Sequence, residues 1–306
     1  MSELDHLLDK PEKPRRQRRW WKIVLIGLPL AIVLGGGGAA GTLWYFSQDL
    51  PSLDPLQNYQ PSLVTRVYSD DRQVIGQFFI ERRFLKPIQE MPKSLTQAVI
   101  ATEDTRFFEH PGLDIVGILR AAWTNLRHGG KKVEGASTIT QQLARNFFLS
   151  PERTLMRKIK EVFLAIRIEQ LLNKDEILEL YLNQIDLGRR SFGVQAAARA
   201  YFGKDVGELQ LHEMAYLAIL PKGPSNYRPE RFYDRALKRR NWVLGGMLKN
   251  EFITQQQYDE AIRHPLGIIP RVAAANESIG GYYTEELRRQ LIAKFGENSD
   301  GGRNPF

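Results

Sequence analysis

The sequence EDTRFFEHPG occupies residues 103–112 and is separated by one threonine, Thr102, from an apolar run at residues 98–101. The run has the composition of a buried helix. The polar segment that follows begins with two carboxylates, Glu103 and Asp104. An apolar segment that ends on acids in this way suggests a functional site.

A second candidate acid closes the sequence RKIKE at residues 157–161. On a helix, residues three and four positions apart are neighbours, so Arg157 and Lys158 both lie beside Glu161. One helical face therefore carries two cations and an acid. Taken alone, this pattern is also that of an ordinary surface ion pair, worth a few tenths of a kcal/mol.

Two further segments lie near these acids. The sequence GASTITQQLARN, residues 135–146, is typical of a glycine entry followed by a helix. In a helix that starts near Ser137, one face holds Thr138, Gln142 and Arg145 and is polar and cationic. The sequence KDEILELYLN, residues 174–183, predicts an amphipathic helix whose apolar face includes Ile177, Leu178, Tyr181 and Leu182.

These four segments, in this order and spacing, resemble the peptidoglycan glycosyltransferase family, the lysozyme-like enzymes that polymerise lipid II. The family pattern is E-D-x-x-F-x-x-H-x-G, then G-x-S-T-x-T-Q-Q, then R-K-x-x-E, then K-x-x-I-x-x-x-Y-L-N. The sequence matches all four motifs, and the resemblance covers residues 62–265. It departs at Ala136, where glycine is commoner, and at residues 187–190. Neither departure affects a candidate catalytic group.

The resemblance implies a mainly α, two-lobed, lysozyme-like glycosyltransferase domain with a small β-hairpin. It implies that Glu103 is the general base, and that Glu161 assists the pyrophosphate leaving group. Glu161 would do so either by orienting Arg157 and Lys158 or by holding a divalent cation, Mg²⁺ or Mn²⁺; no organic cofactor is expected. The implied substrate-binding residues are Asp104, Phe107, His110, Gly112, Ser137, Thr138, Gln142, Arg145, Asn146, Arg157, Lys158 and Asn183.

The charge pattern also bears on the reaction class. A polyprenyl pyrophosphate leaves as a stable anion, so its transfer needs a base for the attacking hydroxyl and cations for the phosphates. Glycoside hydrolysis instead needs a protonated carboxylic acid beside the bond. Because Arg145, Arg157 and Lys158 lie close in sequence to the second carboxylate, the pattern favours transfer from a pyrophosphate. The expected partners are lipid II, the growing glycan strand, the bacterial inner membrane and other cell-wall synthesis proteins.

The composition of the 306-residue chain excludes several classes. With 42% hydrophobic and 25% charged residues it is typical of a globular protein. It has no cysteine, and its five histidines show no zinc-protease spacing, so neither a disulfide framework nor a zinc enzyme is expected. The net charge of +8 suits anionic lipid or a phosphorylated substrate. No nucleic-acid-binding module is recognisable, and we expect no nucleic-acid partner.

The amino-terminal region predicts a membrane anchor. Residues 1–19 form a basic tail, and residues 20–46 contain 24 uncharged positions, 23–46, flanked by aromatic residues. Positive charge before the span places the tail in the cytoplasm and the enzyme in the periplasm, attached to the inner membrane. A cleaved signal peptide ending near residues 38–40 is the alternative. Residues 47–61, with Pro51 and Pro55, are typical of a stalk.

Residues 63–84 predict a β-hairpin with its turn at 69–72. The chain then becomes helical almost throughout. We predict helices at residues 93–102, 115–127, 138–146, 154–171, 174–183, 194–200, 211–220, 231–250, 254–262 and 282–295. Residues 266–306 are expected to be an extension, the start of a longer region such as a transpeptidase. The 306 residues hold neither S-x-x-K nor K-T-G, so no transpeptidase activity is expected from them.

Two other classes remain open. A muramidase or lytic transglycosylase shares a lysozyme-like helical fold and a catalytic glutamate, but needs neither an anchor nor an arginine and lysine cluster. A non-catalytic membrane scaffold could keep the fold, although intact carboxylates in both motifs argue against it. A nucleotide-sugar transferase is disfavoured, because the sequence has no D-x-D and no Rossmann glycine pattern.

Overall fold

The structure is a computed structural model that describes residues 41, 50–57, 65–78, 82–130, 135–152, 154–270 and 281–295. The chain divides into two units, residues 1–50 and 51–306, and nearly all described residues belong to the second. The predicted tail, the predicted anchor apart from residue 41, and residues 47–49 and 58–61 of the predicted stalk lie outside the described residues. Within the part that is described, no helix combines the length and the apolar content needed to cross a membrane.

Helices dominate the described residues, as the sequence predicts. The α-helices are α1 (Asp54–Gln57), α2 (Lys93–Glu103), α3 (Ile115–Arg127), α4 (Ile139–Phe148), α5 (Leu155–Leu171), α6 (Lys174–Gln184), α7 (Val194–Phe202), α8 (Leu211–Leu217), α9 (Pro229–Lys249), α10 (Gln255–Arg263) and α11 (Gly281–Phe295). Most bounds agree with the predicted helices to within two or three residues. The short α1 falls in the segment predicted as a stalk.

The predicted helix over residues 211–220 is wrong in its last three residues. The α-helix ends at Leu217, and two 3-10 turns follow, Leu220–Lys222 and Pro224–Tyr227. Pro221 and Pro224 have no N–H for a helical ladder, and Gly223 has a φ of 148°, a backbone conformation that side-chain-bearing residues rarely adopt. The chain therefore turns here and re-enters a helix at Pro229.

The predicted hairpin is confirmed. Strands β1 (Thr65–Tyr68) and β2 (Val74–Phe78) pair antiparallel, and the turn between them contains Arg72 in the left-handed region. A second pairing was not predicted: β3 (Arg82–Arg83) lies parallel to β4 (Ser191–Phe192). Two-residue strands so far apart in sequence leave no periodic pattern for sequence analysis to detect.

The core consists of two groups of packed helices. Helix α4 packs on α5 and α6, and helix α2 packs on α8 and α9. Leu143 of α4, Leu164 of α5 and Leu95 of α2 are completely buried. Burial of such side chains is the main stabilising term of the fold, about 2 kcal/mol for each. The carboxyl end of α2 and the amino end of α4 meet beside these buried surfaces, and the candidate site lies there.

Candidate active site

Glu103 is the last residue of α2, and Asp104 caps the end of the helix in a non-helical conformation. The Asp104 carboxylate is buried and accepts a hydrogen bond from the backbone N–H of Ile139 at 3.0 Å. His110 Nε2 lies 3.0 and 3.1 Å from the two Asp104 oxygens and donates to this acceptor-only group. Asp104 thus attaches the end of α2, and with it Glu103, to the start of α4.

The amino terminus of α4 is held by Thr138. Its hydroxyl accepts from Gln141 N at 3.1 Å, and Gln141 Oε1 accepts from Thr138 N at 3.2 Å, which is a complete capping box. The same hydroxyl donates to the carbonyl oxygen of Gly112 at 2.7 Å. The first turn of α4 is therefore fixed to the motif that carries Glu103.

Glu103 is half-buried and takes part in a short hydrogen-bond chain. Gln142 Nε2 donates to Glu103 Oε2 at 2.8 Å, and the Tyr181 hydroxyl donates to Gln142 Oε1 at 3.1 Å. Burial raises the pKa of the Glu103 carboxyl above its usual value, while the hydrogen bond from Gln142 acts in the opposite direction. Glu103 is thus a carboxylate with raised basicity, as a general base requires.

Three cations also act on Glu103 and lower its pKa against the effect of burial: Arg239, Lys222 and Arg145. Only Arg145 was predicted as a site residue. Lys222 belongs to the 3-10 turn that replaces the predicted helix end, and Arg239 lies on α9 with its guanidinium 3.7 Å from the Trp242 ring centroid. Neither lies in one of the four motifs, and nothing in those motifs indicates that the two cations act on Glu103.

Glu161 is buried on α5, with 1% of its side chain exposed. Lys158 Nζ donates to Glu161 Oε2 at 2.8 Å, and Arg157 Nε lies 3.3 Å from Glu161 Oε1. The second contact is an ion pair without hydrogen-bond geometry, and neither of its two atoms has a hydrogen-bond partner among the described residues. The predicted face of two cations and an acid is confirmed. Because the acid is buried, it is not an ordinary surface pair.

Both carboxylates are connected to the same turn of α4. Gln142 donates to Glu103, whereas Lys158, the partner of Glu161, also donates to Ser137 Oγ at 3.0 Å and to Gln141 Oε1 at 3.4 Å. Two carboxylates from different helices are thus connected through adjacent glutamines. A helix amino terminus favours negative charge, so this turn suits both carboxylates and an anionic ligand.

Other predicted site residues contribute to the scaffold. Phe107 is completely buried, and Lys174 Nζ lies 4.5 Å from its ring centroid. Gly112 has a φ of 86° and lies so close to α5 that a Cβ would come within 2.9 Å of Ala165 O. Asn183 exchanges two hydrogen bonds of 2.9 Å with the backbone of Lys86. These contacts are with buried surface and backbone, so the three residues act as scaffold in the described structure.

Arg145 and Asn146 are half-buried on α4 beyond the first turn. As for metals, the described residues contain no group of three or more histidine and acidic side chains that could hold an ion. Glu161 is one carboxylate with a cation against each of its oxygens. A divalent cation prefers several oxygen ligands, so this donor set fits Mg²⁺ or Mn²⁺ poorly.

Helix α3 presents an unusual exposed surface. Its amino terminus is capped by Asp114, which accepts from Gly117 N at 2.9 Å and pairs with Arg106 of the first motif at 3.1 Å. The large apolar side chains of this helix that face solvent are Ile115, Val116, Ile118, Leu119, Trp123 and Leu126. We call this set the α3 apolar face. Clusters of exposed apolar side chains are typical of interaction sites.

A family model and similar proteins of known name both indicate to which family the chain belongs. Residues 71–248 match the model of the transglycosylase family. The chain is 49% identical to penicillin-binding protein 1A of Escherichia coli K12 over 92% of its length, and 47% identical to penicillin-binding protein 1A of Vibrio cholerae over 91%. It spans 33% and 34% of these two relatives. A crystal structure of penicillin-binding protein 1A from Haemophilus influenzae is 29% identical, with a TM-score of 0.47, over 79% of this chain and 26% of that one.

Proposed function

Because the chain belongs to the transglycosylase family, we propose that it is a peptidoglycan glycosyltransferase that polymerises lipid II into β-1,4-linked glycan strands and releases polyprenyl pyrophosphate. The observation that carries the proposal is the pair of carboxylates connected to one turn of α4, with separate groups of cations. Glu103 has raised basicity, which suits deprotonation of the acceptor hydroxyl. Glu161 is surrounded by positive charge, which suits departure of the pyrophosphate.

At the acceptor, Glu103 takes the proton of the 4-hydroxyl as its oxygen attacks the anomeric carbon of the donor. Burial favours this step because it raises the pKa of Glu103, and the nearby cations keep the carboxylate ionised before the reaction. Attack from the face opposite the leaving group converts the α-linked donor into a β-linkage, so the reaction inverts. Asp104 and His110 keep Glu103 in position by fixing the end of α2.

At the donor, the bond between the anomeric carbon and the phosphate oxygen breaks, and its electron pair leaves with the pyrophosphate. Arg157 and Lys158 stabilise this developing charge, and Glu161 keeps both cations on the cleft side of α5. We assign Glu161 this orienting role in preference to metal binding, because both of its oxygens already face cations. Ser137, Gln142, Arg145 and Asn146 line the approach to this region as substrate-binding residues.

We infer a two-lobed, lysozyme-like architecture with the glycan in the groove between the lobes. One lobe is formed by α2, α8 and α9 and carries Glu103; the other is formed by α4, α5 and α6 and carries Glu161. We also propose that residues 20–46 anchor the chain in the bacterial inner membrane, with the enzyme in the periplasm and other cell-wall synthesis proteins beside it. The relatives, about three times as long, are named as penicillin-binding proteins.

The α3 apolar face is the surface on which the lipid end of the substrate enters, and it lies against the bilayer. Trp123 lies toward the carboxyl-terminal end of this face, with the Arg127 guanidinium 4.8 Å from its ring centroid, a pairing suited to a membrane interface. Vesicles that contain a bromine-labelled lipid should quench Trp123 fluorescence, as measured by the difference between the parent and Trp123→Phe. Leu119→Glu should reduce the quenching. If Trp123 is quenched equally in the parent and in Leu119→Glu, the α3 apolar face does not lie against the bilayer.

The test of the function is polymerisation of labelled lipid II by the full chain in detergent with Mg²⁺ or Mn²⁺, resolved as a ladder of glycan strands on a gel. Glu103→Gln should abolish the ladder. Glu109→Gln is the matched control, because Glu109 lies in the same motif with 62% of its side chain exposed. A ladder that survives in Glu103→Gln would refute the assigned base. Digestion of cell-wall sacculi without any ladder would move the protein to the muramidase class.

A further inference from the structure

Tyr181 lies on α6 with its side chain completely buried, on the face that the sequence predicts as apolar core. A core residue at this position needs no hydroxyl. The structure nevertheless gives that hydroxyl a partner in the candidate site, because it donates to Gln142 Oε1 at 3.1 Å. Gln142 in turn donates to Glu103 at 2.8 Å. Tyr181 is therefore one residue removed from the proposed base.

We propose that Tyr181 is a positioning residue that fixes the orientation of the Gln142 amide, so that its N–H, and not its carbonyl oxygen, faces Glu103. This inference rests on the proposed function only in naming Glu103 as the base. Tyr181 touches neither the substrate nor the reacting atoms. Its effect reaches the reaction through Gln142.

The amide group needs such fixing because its two ends are nearly equal in size and opposite in hydrogen-bonding character. A reversed Gln142 amide would place an oxygen against the Glu103 carboxylate, an arrangement that only a protonated Glu103 could satisfy. The orientation of Gln142 and the ionisation of Glu103 are thus linked. In the described orientation, Gln142 Oε1 is the acceptor of the Tyr181 hydroxyl proton, and reversal would remove that acceptor from a fully buried donor.

The Tyr181 hydroxyl stays a donor throughout the working pH range. Its burial, together with the negative charge of Glu103, raises the pKa of Tyr181 well above that of a free tyrosine. The ionisable groups around Glu103 are Asp104 at the end of its own helix, Arg145 on α4, Lys222 in the 3-10 turn and Arg239 on α9. Removing the Tyr181 hydroxyl leaves these charges unchanged. A shift in the pKa of Glu103 in such a variant therefore reports the contribution of the Gln142 amide.

The variant that tests the proposal is Tyr181→Phe, which removes the hydroxyl and keeps the ring. Without its donor, the Gln142 amide no longer holds its N–H on Glu103, and the pKa of Glu103 rises. The expected rise is about one unit, since a hydrogen bond to a charged group contributes an effect of that size. The acidic limb of the pH profile for kcat/KM moves up by the same amount. At pH values below both pKa values the kcat/KM of the variant is about tenfold lower than that of the parent, and the difference narrows as the pH rises toward the plateau.

The pKa of Glu103 is measured on the full chain in detergent by a ¹³C NMR titration of carboxyl-labelled glutamate. The Glu103 signal is the one that disappears in Glu103→Gln. Polymerisation of lipid II across the same pH range gives the second readout. Tyr216→Phe is the matched control: it removes another completely buried hydroxyl, which donates to Tyr227 O at 3.0 Å, and should leave the titration of Glu103 unchanged.

A double-mutant cycle decides whether Tyr181 acts through Gln142. Gln142→Ala alone should raise the pKa of Glu103 at least as much as Tyr181→Phe. Adding Tyr181→Phe to Gln142→Ala should give no further shift, because the amide that the hydroxyl orients is absent. If Tyr181→Phe does not fold, an unchanged titration in Gln142→Ala still overturns the proposal.

The proposal is overturned if Tyr181→Phe titrates like the parent, or if it shifts Glu103 equally with and without the Gln142 amide. The two proposals can fail separately. A parent that forms no glycan ladder refutes the proposed function, while the NMR titration still decides the role of Tyr181. A parent whose ladder depends on Glu103, with unchanged titration in Tyr181→Phe, refutes the positioning role alone.

Discussion

His212 should make the protein sensitive to mild acid. It lies on α8, only 6% exposed, and its ring stacks on that of His264 with 4.5 Å between centroids and 4° between planes. Burial lowers the pKa of His212 to about 4; the Glu213 carboxylate opposes this, and His264, Arg240 and Lys204 nearby add to the lowering. Arg240 is completely buried and donates to the carbonyls of Ile262, His264 and Pro265, so positive charge already occupies this region.

Whether acid raises or lowers the stability follows from the pKa of His212 in the folded and in the unfolded chain. The pKa of His212 is about 4 in the folded chain and about 6.5 in the unfolded one, so the unfolded chain binds more protons between these values. The contribution of His212 to stability is therefore complete above about pH 6.5 and is lost as the pH falls toward about 4. A shift of this size corresponds to about 3 kcal/mol at most, and we expect about 2 kcal/mol after screening by solvent at the ring edge.

The measurement is thermal unfolding of the full chain in detergent, followed by circular dichroism at neutral pH and near pH 4.5. Removing the imidazole by His212→Gln should make the acid-induced fall in Tm smaller than in the parent by about 4 to 8 °C, given about 2 to 4 °C per kcal/mol for a domain of this size. His128→Gln, at the exposed end of α3, is the control, and its Tm should fall on acidification by as much as that of the parent. If the parent and His212→Gln lose the same Tm on acidification, His212 is not the acid-sensitive group.

Two further predictions concern the site and its scaffold. Lys158→Met should slow polymerisation at least 100-fold, because the charge of Lys158 completes the pair with Glu161, and it should also lower Tm, because buried Glu161 then keeps only Arg157 as a cationic partner; a rate within threefold of the parent in the lipid II assay would contradict this. Gly193→Ala should destabilise the protein by about 2 to 4 kcal/mol in thermal unfolding, because Gly193 has a φ of 81° and a Cβ would lie 2.6 Å from Asn183 O. Gly207→Ala, where the nearest atom is 3.9 Å away, is the matched control, and an equal effect of the two substitutions would refute the steric argument.

Local patterns explain which parts of the fold and site could be predicted. The face formed by Arg157, Lys158 and Glu161 could be predicted because helical neighbours are set by spacing alone. Helix positions could be predicted from apolar periodicity for the same reason. The capping box of Thr138 and Gln141 was also present in the sequence as T-x-x-Q, although the family resemblance suggests a substrate-binding role for Thr138. Its described contacts are those of a helix cap.

Lys222 and Arg239 could not be predicted, because their effect on Glu103 depends on how distant helices pack. The same is true of Tyr181. Its position on an apolar helical face is correctly predicted, but the sequence carries no sign that its hydroxyl reaches Gln142. A buried tyrosine chosen where phenylalanine would pack equally well is a signal of a polar partner, but only a structure identifies the partner.

The arrangement of α4 explains why scaffold residues belong to the family motifs at all. Asp104 fixes the first N–H of this helix, and Thr138 fixes its cap to Gly112, so both act on the turn that carries Gln141 and Gln142. Those two glutamines connect to Glu103 and, through Lys158, to Glu161. The separation between the proposed base, Glu103, and the cations beside Glu161 is thus set by one helical turn and its anchors. A residue such as Asp104 can therefore be indispensable to the transfer without contacting either sugar, because a small misplacement of reacting groups costs orders of magnitude in rate.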